Sequence, residues 1–384
     1  MKALRNIGLW LDGLARRTYE VPATSERLVA MEGLRAYAAL LVFMVHYFGA
    51  YGGRVLHVDF DNFRLGRSND VWINGCYYLF ASHYGVDIFF LLSGFLIARL
   101  VRRPGFKYGS FLWHRVRRIY PAFLVSLVMW AYLRVEVQGW YPFDRLQFFG
   151  NLLFLNAIPQ LQVKPYAMIT WSLCYEFIFY LTFPVLMQVV RRSRRYSMPL
   201  LILCSGLLVG ALLQLGDSFI RFLMFFGGVL LAYIPEQRLI SMANKLPEGL
   251  VIIGYLASTL WFAYILDYLY FIPVFVPIAA ALTLKALYGS GWLNRAFSWR
   301  PLRYLGNISY SFYLLHAVGI EFVMEGYPQF LKGLTGFLYL IVTMGVALAI
   351  ALAFATAVFL VAEKPYFKKG LAKANLTKAE PVLT

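Results

Sequence analysis

Leu34-Arg35-Ala36-Tyr37-Ala38-Ala39-Leu40-Leu41-Val42-Phe43-Met44-Val45-His46-Tyr47-Phe48-Gly49-Ala50-Tyr51-Gly52-Gly53 holds one arginine, one histidine and no carboxylate. As an α-helix rising about 1.5 Å per residue, it reaches about 30 Å, the thickness of a bilayer's hydrocarbon core. Outward from it, apolar stretches of helix length recur near 84–102, 118–135, 170–190, 198–215, 219–235, 249–266, 270–288, 305–324 and 335–361. The pattern predicts an all-α, polytopic membrane bundle of ten transmembrane helices. A further stretch at 146–158 is too short to cross and is predicted to lie in, or re-enter, the outer interface. Composition agrees. Of 384 residues, 60% are hydrophobic and only 14% charged, where soluble domains run near half and a quarter. That excludes a disordered chain, a coiled coil and an ordinary cytosolic enzyme. Three cysteines make no disulfide framework, no Cys/His cluster has metal spacing, and no metal is expected. The first 30 residues show no cleavable signal.

Charge orients the bundle. The net balance is 36 − 19 = +17. On a soluble protein it would point to nucleic acid; here it reflects loops kept on the cytoplasmic side, and no nucleic-acid partner is expected. With ten spans and the N-terminus inside, the inner segments are the N-terminal arm, 99–118, 191–197, 235–248, 285–304 and the tail. With Arg35, they carry 28 of the 36 Lys and Arg but 8 of the 19 Asp and Glu, a balance of +20; the outer side carries 8 and 11, or −3. Counting 146–158 as a crossing would move the tail lysines outside and break the pattern. Both termini are therefore expected in the cytoplasm. The chain divides into an arm at 1–30, a membrane domain at 31–365 and a basic tail at 366–384.

Ionisable groups inside a span are costly and need a reason. Arg35 and His46 are eleven residues apart, about three turns, and nearly share a face. Arg35 belongs at the cytoplasmic end and His46 beyond mid-membrane. The run Gly85-Val86-Asp87-Ile88-Phe89-Phe90-Leu91-Leu92-Ser93-Gly94-Phe95-Leu96-Ile97 places Asp87 near the outer end, either wetted or functional. Its small Ser93 and Gly94 suit close helix packing. Arg115 and Arg118 are three apart and face one way within a dense basic run. The run as a whole serves topology, and a paired arginine at the mouth of a bundle also matches phosphate oxygens. The cluster Arg191, Arg192, Arg194 and Arg195 reads as topological. Ser172, Glu176 and Tyr180 repeat every four residues as one polar stripe, opened by Trp171 at the outer interface. Ser309 and His316, seven apart, share a face; His316 is either a hydrogen-bonded core histidine or part of a site. His57 and His83 are assigned nothing, and Glu363-Lys364-Pro365 marks a helix end.

Taken in order, these segments resemble the acyltransferase-3 family of integral membrane acyltransferases. The elements are Gly33-Leu34-Arg35 with His46, the Gly-Val-Asp-x-Phe-Phe run at 85–97, and Arg115-x-x-Arg118 followed by Ile119-Tyr120-Pro121. Trp171-Ser172-Leu173-x-x-Glu176, Ile308-Ser309-Tyr310 to His316, and Glu363-x-Pro365 complete the series. The resemblance spans roughly Leu28 to Pro365. It implies a multi-pass enzyme of the bacterial cytoplasmic (inner) membrane that moves an acyl group, usually acetyl, from a cytoplasmic CoA thioester to a hydroxyl. The acceptor would be an outward-facing glycan or lipid-linked sugar. Some relatives carry a fused SGNH hydrolase-like domain; nothing after Pro365 has room for one, so a stand-alone form is expected. Acetyl-CoA enters as donor substrate, and no permanently bound cofactor is implied. Arg35, Arg115 and Arg118 are expected to hold the CoA phosphates. His46, Glu176 and Asp87 are expected in catalysis, and Trp171, Ser172, Tyr180 and His316 at the substrate. His46 fits two chemistries, general base for the acceptor hydroxyl or covalent acyl carrier. Intramembrane His, Glu and Arg would also suit a secondary transporter or flippase for an anionic or lipid-linked substrate, although no internal repeat of the kind transporters show is present. The sequence leaves the oligomeric state open.

Overall fold

Runs of Leu, Val, Ile, Phe and Ala broken by few charges can satisfy their backbone hydrogen bonds in lipid only as helices, and helices are what this chain forms. The protein is described by a computed structural model, which describes residues 28–137, 144–191, 197–325 and 336–365, with residues 13, 15, 18 and 19 before them. Arg192, Arg194, Arg195, most of the predicted arm and the tail at 366–384 lie outside the described residues. The helices are α1 (Val29–Tyr51), α2 (Val71–Phe80), α3 (Gly85–Val101), α4 (Tyr108–Tyr132), α5 (Arg145–Leu152), α6 (Trp171–Arg191), α7 (Ser197–Leu213) and α8 (Phe222–Tyr233). They continue as α9 (Glu236–Lys245), α10 (Glu248–Ile265), α11 (Tyr268–Tyr288), α12 (Trp292–Phe297), α13 (Arg300–Asn307), α14 (Ser309–Glu325) and α15 (Gly336–Val358). Among the described residues there is no β-strand.

A helix covers each of the ten predicted apolar segments, but fewer are long and apolar enough to cross a membrane. Among the described residues six are: Val29–Leu56, Val71–Val101, Tyr108–Val135, Glu248–Ile265, Tyr268–Tyr288 and Gly336–Glu363. A seventh arises if Asp217–Tyr233 and Glu236–Lys245, bent by 107°, count as one broken span. The shortfall from ten lies partly in length. The 17 residues of α14 reach only about 26 Å, and the apolar part of α7, Met198–Leu213, is shorter still. The region predicted as 146–158 forms the eight-residue α5, capped by Asp144 accepting from the Leu146 amide at 2.8 Å. Short 3-10 turns follow to Leu161. The helix α2 falls where an outer loop was expected. Asp70 caps it through the Trp72 amide at 2.7 Å, and it buries Cys76, Tyr77 and Phe80.

α1, α3 and α14 meet at the centre of the bundle, where Leu34, Ala38, Leu91, Phe95 and Leu314 are all buried. The crossing of α3 with α8 is close. A side chain on Gly94 would put its Cβ 2.0 Å from the Phe225 carbonyl oxygen, and one on Gly228 would meet the Leu91 oxygen at 1.9 Å. Each glycine lets the other helix's backbone in, as the Ser93-Gly94 pair had led one to expect.

Candidate active site

A cavity of about 100 Å³ opens between α3, α4, α6 and α14. Its α3 wall runs from Val86 to Ile97, about 16 Å along that helix. Polar groups concentrate on the other walls: Arg35 from α1, Arg115 and Arg118 from α4, and Ser172, Glu176 and Tyr180 from α6. The four-residue repeat of the α6 stripe and the three-residue spacing of the arginines thus do bring these side chains to one space. Ser93 of α3 donates to Glu176 at 3.0 Å, and Tyr180 donates to the same oxygen of Glu176. The Arg115 guanidinium lies 5.3 Å from the Phe111 ring and 5.4 Å from the Tyr180 ring, held by apolar faces as well as by charge. A second, larger cavity of about 450 Å³ adjoins it. It is lined by Arg103, Lys107, His114 and again by Arg115 and Arg118. The two spaces therefore meet at the paired arginines.

His46 does not line the first cavity. It is partly buried on α1, and its nearest ionisable partner is His316, with ring centroids 4.9 Å apart. Hydrogen-bond chemistry fixes both tautomers. His46 Nδ1 lies 2.8 Å from the Val42 carbonyl and His316 Nδ1 lies 2.8 Å from the Tyr313 carbonyl. Carbonyls only accept, so each Nδ1 carries the proton. The His316 Nε2 lone pair then receives part of the His46 Nδ1–H, at 3.1 Å. In the neutral ring His46 Nε2 is then left with an available lone pair. The link from this pair to the cavity is Tyr313, which lines the cavity, lies 6.2 Å from the His316 ring and shares a 2.7 Å hydrogen bond with Ser172.

Two expectations are placed differently. Asp87 is not wetted at the outer end: it is 0% exposed, away from the cavity, and faces Arg221 of the turn before α8 at 3.5 Å. Trp171, expected at the substrate, has the Arg221 guanidinium over one face of its ring at 4.8 Å. Sequence reading also missed several groups. Arg221, an outer helix-end charge in the balance above, is only 3% exposed, and His83, which is assigned nothing, has its Nε2 buried. Tyr313, which lines the cavity with Tyr310, carried a signal only in its helical spacing from Ser309 and His316. Glu363, read as a helix end, is buried and accepts from the Ser311 amide at 3.1 Å and from its hydroxyl. Among the described residues, no group of three or more His, Cys, Asp or Glu could hold a metal ion.

Comparison with known proteins gives this arrangement a family. A putative peptidoglycan O-acetyltransferase of Bacillus subtilis is 27% identical over 74% of this chain and 47% of its own length. The peptidoglycan O-acetyltransferase of Listeria monocytogenes is 24% identical over 75% and 48%. The acyltransferase MdmB of Streptomyces mycarofaciens is 29% identical over 45% and 42%. The chain thus spans about half the length of the curated relatives it matches. No solved structure matches it. The acyltransferase domain that defines the acyltransferase-3 family matches residues 28–356, the helices that build both cavities and the histidine pair, and the chain belongs to that family.

Proposed function

We propose that the protein transfers an acyl group, acetyl by the names of its relatives, from a cytoplasmic acyl-CoA to a hydroxyl of a glycan on the opposite side of the bacterial inner membrane. His46 acts as the general base. The observation that carries this reading is the tautomer set by Val42, Tyr313 and His316, which leaves His46 Nε2 as an acceptor of protons. In this reading the chain crosses the membrane ten times with both ends inside, as the charge balance favours.

The larger cavity takes the nucleotide end of the donor, where Arg103, Lys107, Arg115 and Arg118 meet its phosphates. The elongated cavity takes the pantetheine arm. Glu176 shares that cavity with three arginines. Its carboxylate, already accepting from Ser93 and Tyr180, suits an amide N–H of the arm better than it suits the acceptor. The thioester is delivered towards Tyr313 and the histidine pair. His46 Nε2 takes the proton of the acceptor hydroxyl as its oxygen attacks the thioester carbonyl. The tetrahedral intermediate then expels CoA thiolate, which regains that proton from the imidazolium. One C–O bond forms, one C–S bond breaks, and the products are the ester and CoA thiol.

Purified protein in nanodiscs, given labelled acetyl-CoA and solubilised peptidoglycan, should yield O-acetylated glycan by mass spectrometry. His46→Ala should lower turnover by about 10²–10⁴-fold, the usual worth of a general base, with the melting profile kept. Near-normal turnover in that variant would refute the assignment.

A further inference from the structure

Beside the histidine pair lies a second polar cluster, outside the donor cavity. Asp87 is in the first turn of α3, and His83 sits in the turn before it. Arg221 ends the turn before α8. Its guanidinium is held between two rings, 3.8 Å from that of Tyr268 and 4.8 Å from that of Trp171. Four polar atoms in this cluster are buried without a hydrogen-bond partner: both carboxylate oxygens of Asp87, Nη1 of Arg221 and Nε2 of His83. Leaving buried groups unpaired costs about 1–3 kcal/mol each, more for charges.

Other ion pairs in the bundle close further, although Arg303 and Glu32, 3.6 Å apart, also leave Nε and Oε2 without a hydrogen bond. Elsewhere in the same bundle Arg134 meets Glu321 at 2.8 Å and spends its Nε on the Tyr166 carbonyl. Arg221 and Asp87 stand 3.5 Å apart and form no hydrogen bond through Nη1. The guanidinium is pinned by aromatic faces at a distance the carboxylate does not close. The floor of the cluster is deeply buried, Asp87 at 0% and Arg221 at 3% exposure. Its rim, made of His46, His83, Trp171 and Tyr268, is partly exposed.

The donor and acceptor pattern selects the ligand. Asp87 only accepts and would repel a phosphate or carboxylate. Arg221 only donates and would repel an ammonium group. Neutral groups that donate and accept in alternation satisfy both, and adjacent sugar hydroxyls are of that kind. Asp87, Arg221, Trp171 and Tyr268 all lie at helix starts that the charge balance puts on the outer side. The turn that carries His83 packs on α1 near His46: a Cβ on Gly85 would lie 3.3 Å from the Val42 side chain, one helical turn before His46. We propose that His83, Asp87 and Arg221 form an outward-facing subsite that binds hydroxyl groups of the acceptor sugar next to His46. The proposal rests on the reading of His46 as base for an acceptor hydroxyl.

The test uses the full chain in nanodiscs and solubilised peptidoglycan glycan strands as probe. Binding is followed by tryptophan fluorescence in parallel with acetyl-CoA binding. The double variant Asp87→Asn with Arg221→Gln removes both charges together and strands neither; His83→Gln keeps a polar side chain and removes the imidazole. Glycan-strand binding should weaken at least tenfold in both, with acetyl-CoA binding within twofold of the unaltered chain. Unchanged glycan binding, loss of both ligands together, or no glycan binding by the unaltered chain would overturn the subsite. If the unaltered chain binds glycan in an Asp87- and His83-dependent way yet neither binds nor cleaves acetyl-CoA, the acyl-transfer reading fails and the subsite stands.

Discussion

At His46 the decisive neighbour is a residue 270 positions away in sequence. His316 is 0% exposed and commits its Nδ1–H to Tyr313, so it offers His46 a lone pair rather than a proton. It thereby holds the His46 ring and the tautomer in which Nε2 is the base. This makes His316 a positioning residue in the proposed chemistry rather than a group that touches the sugar. His316→Phe should lower kcat at least tenfold with the KM for acetyl-CoA unchanged. His316→Gln, whose amide oxygen can accept the same hydrogen bond, should recover most of that loss. A purely structural role would give the reverse, with both variants following the melting temperature. Helix periodicity alone put Arg35 and His46 on one face, and Ser172, Glu176 and Tyr180 on another, and the last three do line one cavity. What no local pattern could give is the meeting of His46 with His316, or of Asp87 with Arg221, because each pair is joined by tertiary packing of helices far apart in the chain. For the same reason the placement of Glu176 with the three arginines was not legible in its stripe.

Single helices carry two further consequences. On α4, Arg115 and Arg118 bridge the two cavities, and Arg115 is also seated on the rings of Phe111 and Tyr180. A lysine keeps the charge but loses the flat fork that both phosphate and ring contacts use. Replacing both arginines with alanine should weaken acetyl-CoA binding more than tenfold, and replacing both with lysine should restore only part. Because phosphate contacts are screened, affinity should fall as salt rises. Isothermal titration at two ionic strengths measures both effects, and unchanged affinity in the alanine pair would return these residues to a topological role. At the α3–α8 crossing, the close approach permits no side chain at Gly94. Gly94→Val should destabilise the protein by at least about 1–3 kcal/mol, the range for overpacking, and lower its melting temperature in detergent. Gly210→Ala on α7, where a Cβ meets nothing within 4 Å, should do neither. This crossing was legible because adjacent small residues in an apolar run have few other uses. The helix α2 was not: Asn74 and Gly75 interrupt its apolar character, and its stability comes from Tyr77 and Phe80 buried against other segments.

For the whole molecule the strongest sequence signal is charge, with an inner balance of +20 against −3 outside, and it makes a prediction about sides. The basic cavity holding Arg103, Lys107, Arg115 and Arg118 lies beside the 99–118 segment assigned to the cytoplasm. His83, Asp87 and Arg221 cluster at helix ends assigned to the opposite face. His46 stands eleven residues, about 16 Å, from Arg35 along α1. A donor entering from one side and an acceptor from the other would therefore meet inside the membrane, and neither substrate would need to cross it. Sealed inside-out vesicles separate this from a one-sided enzyme, because they expose the cytoplasmic face outward. Acetyl-CoA added outside should be consumed, ester should accumulate only on glycan enclosed in the lumen, and glycan added outside should stay unmodified until detergent breaks the seal. In right-side-out vesicles the dependence should invert, with glycan modified only when it is outside and acetyl-CoA used only when it is enclosed. Ester appearing on glycan that shares a compartment with acetyl-CoA in sealed vesicles would refute the two-sided geometry while leaving His46 as the base.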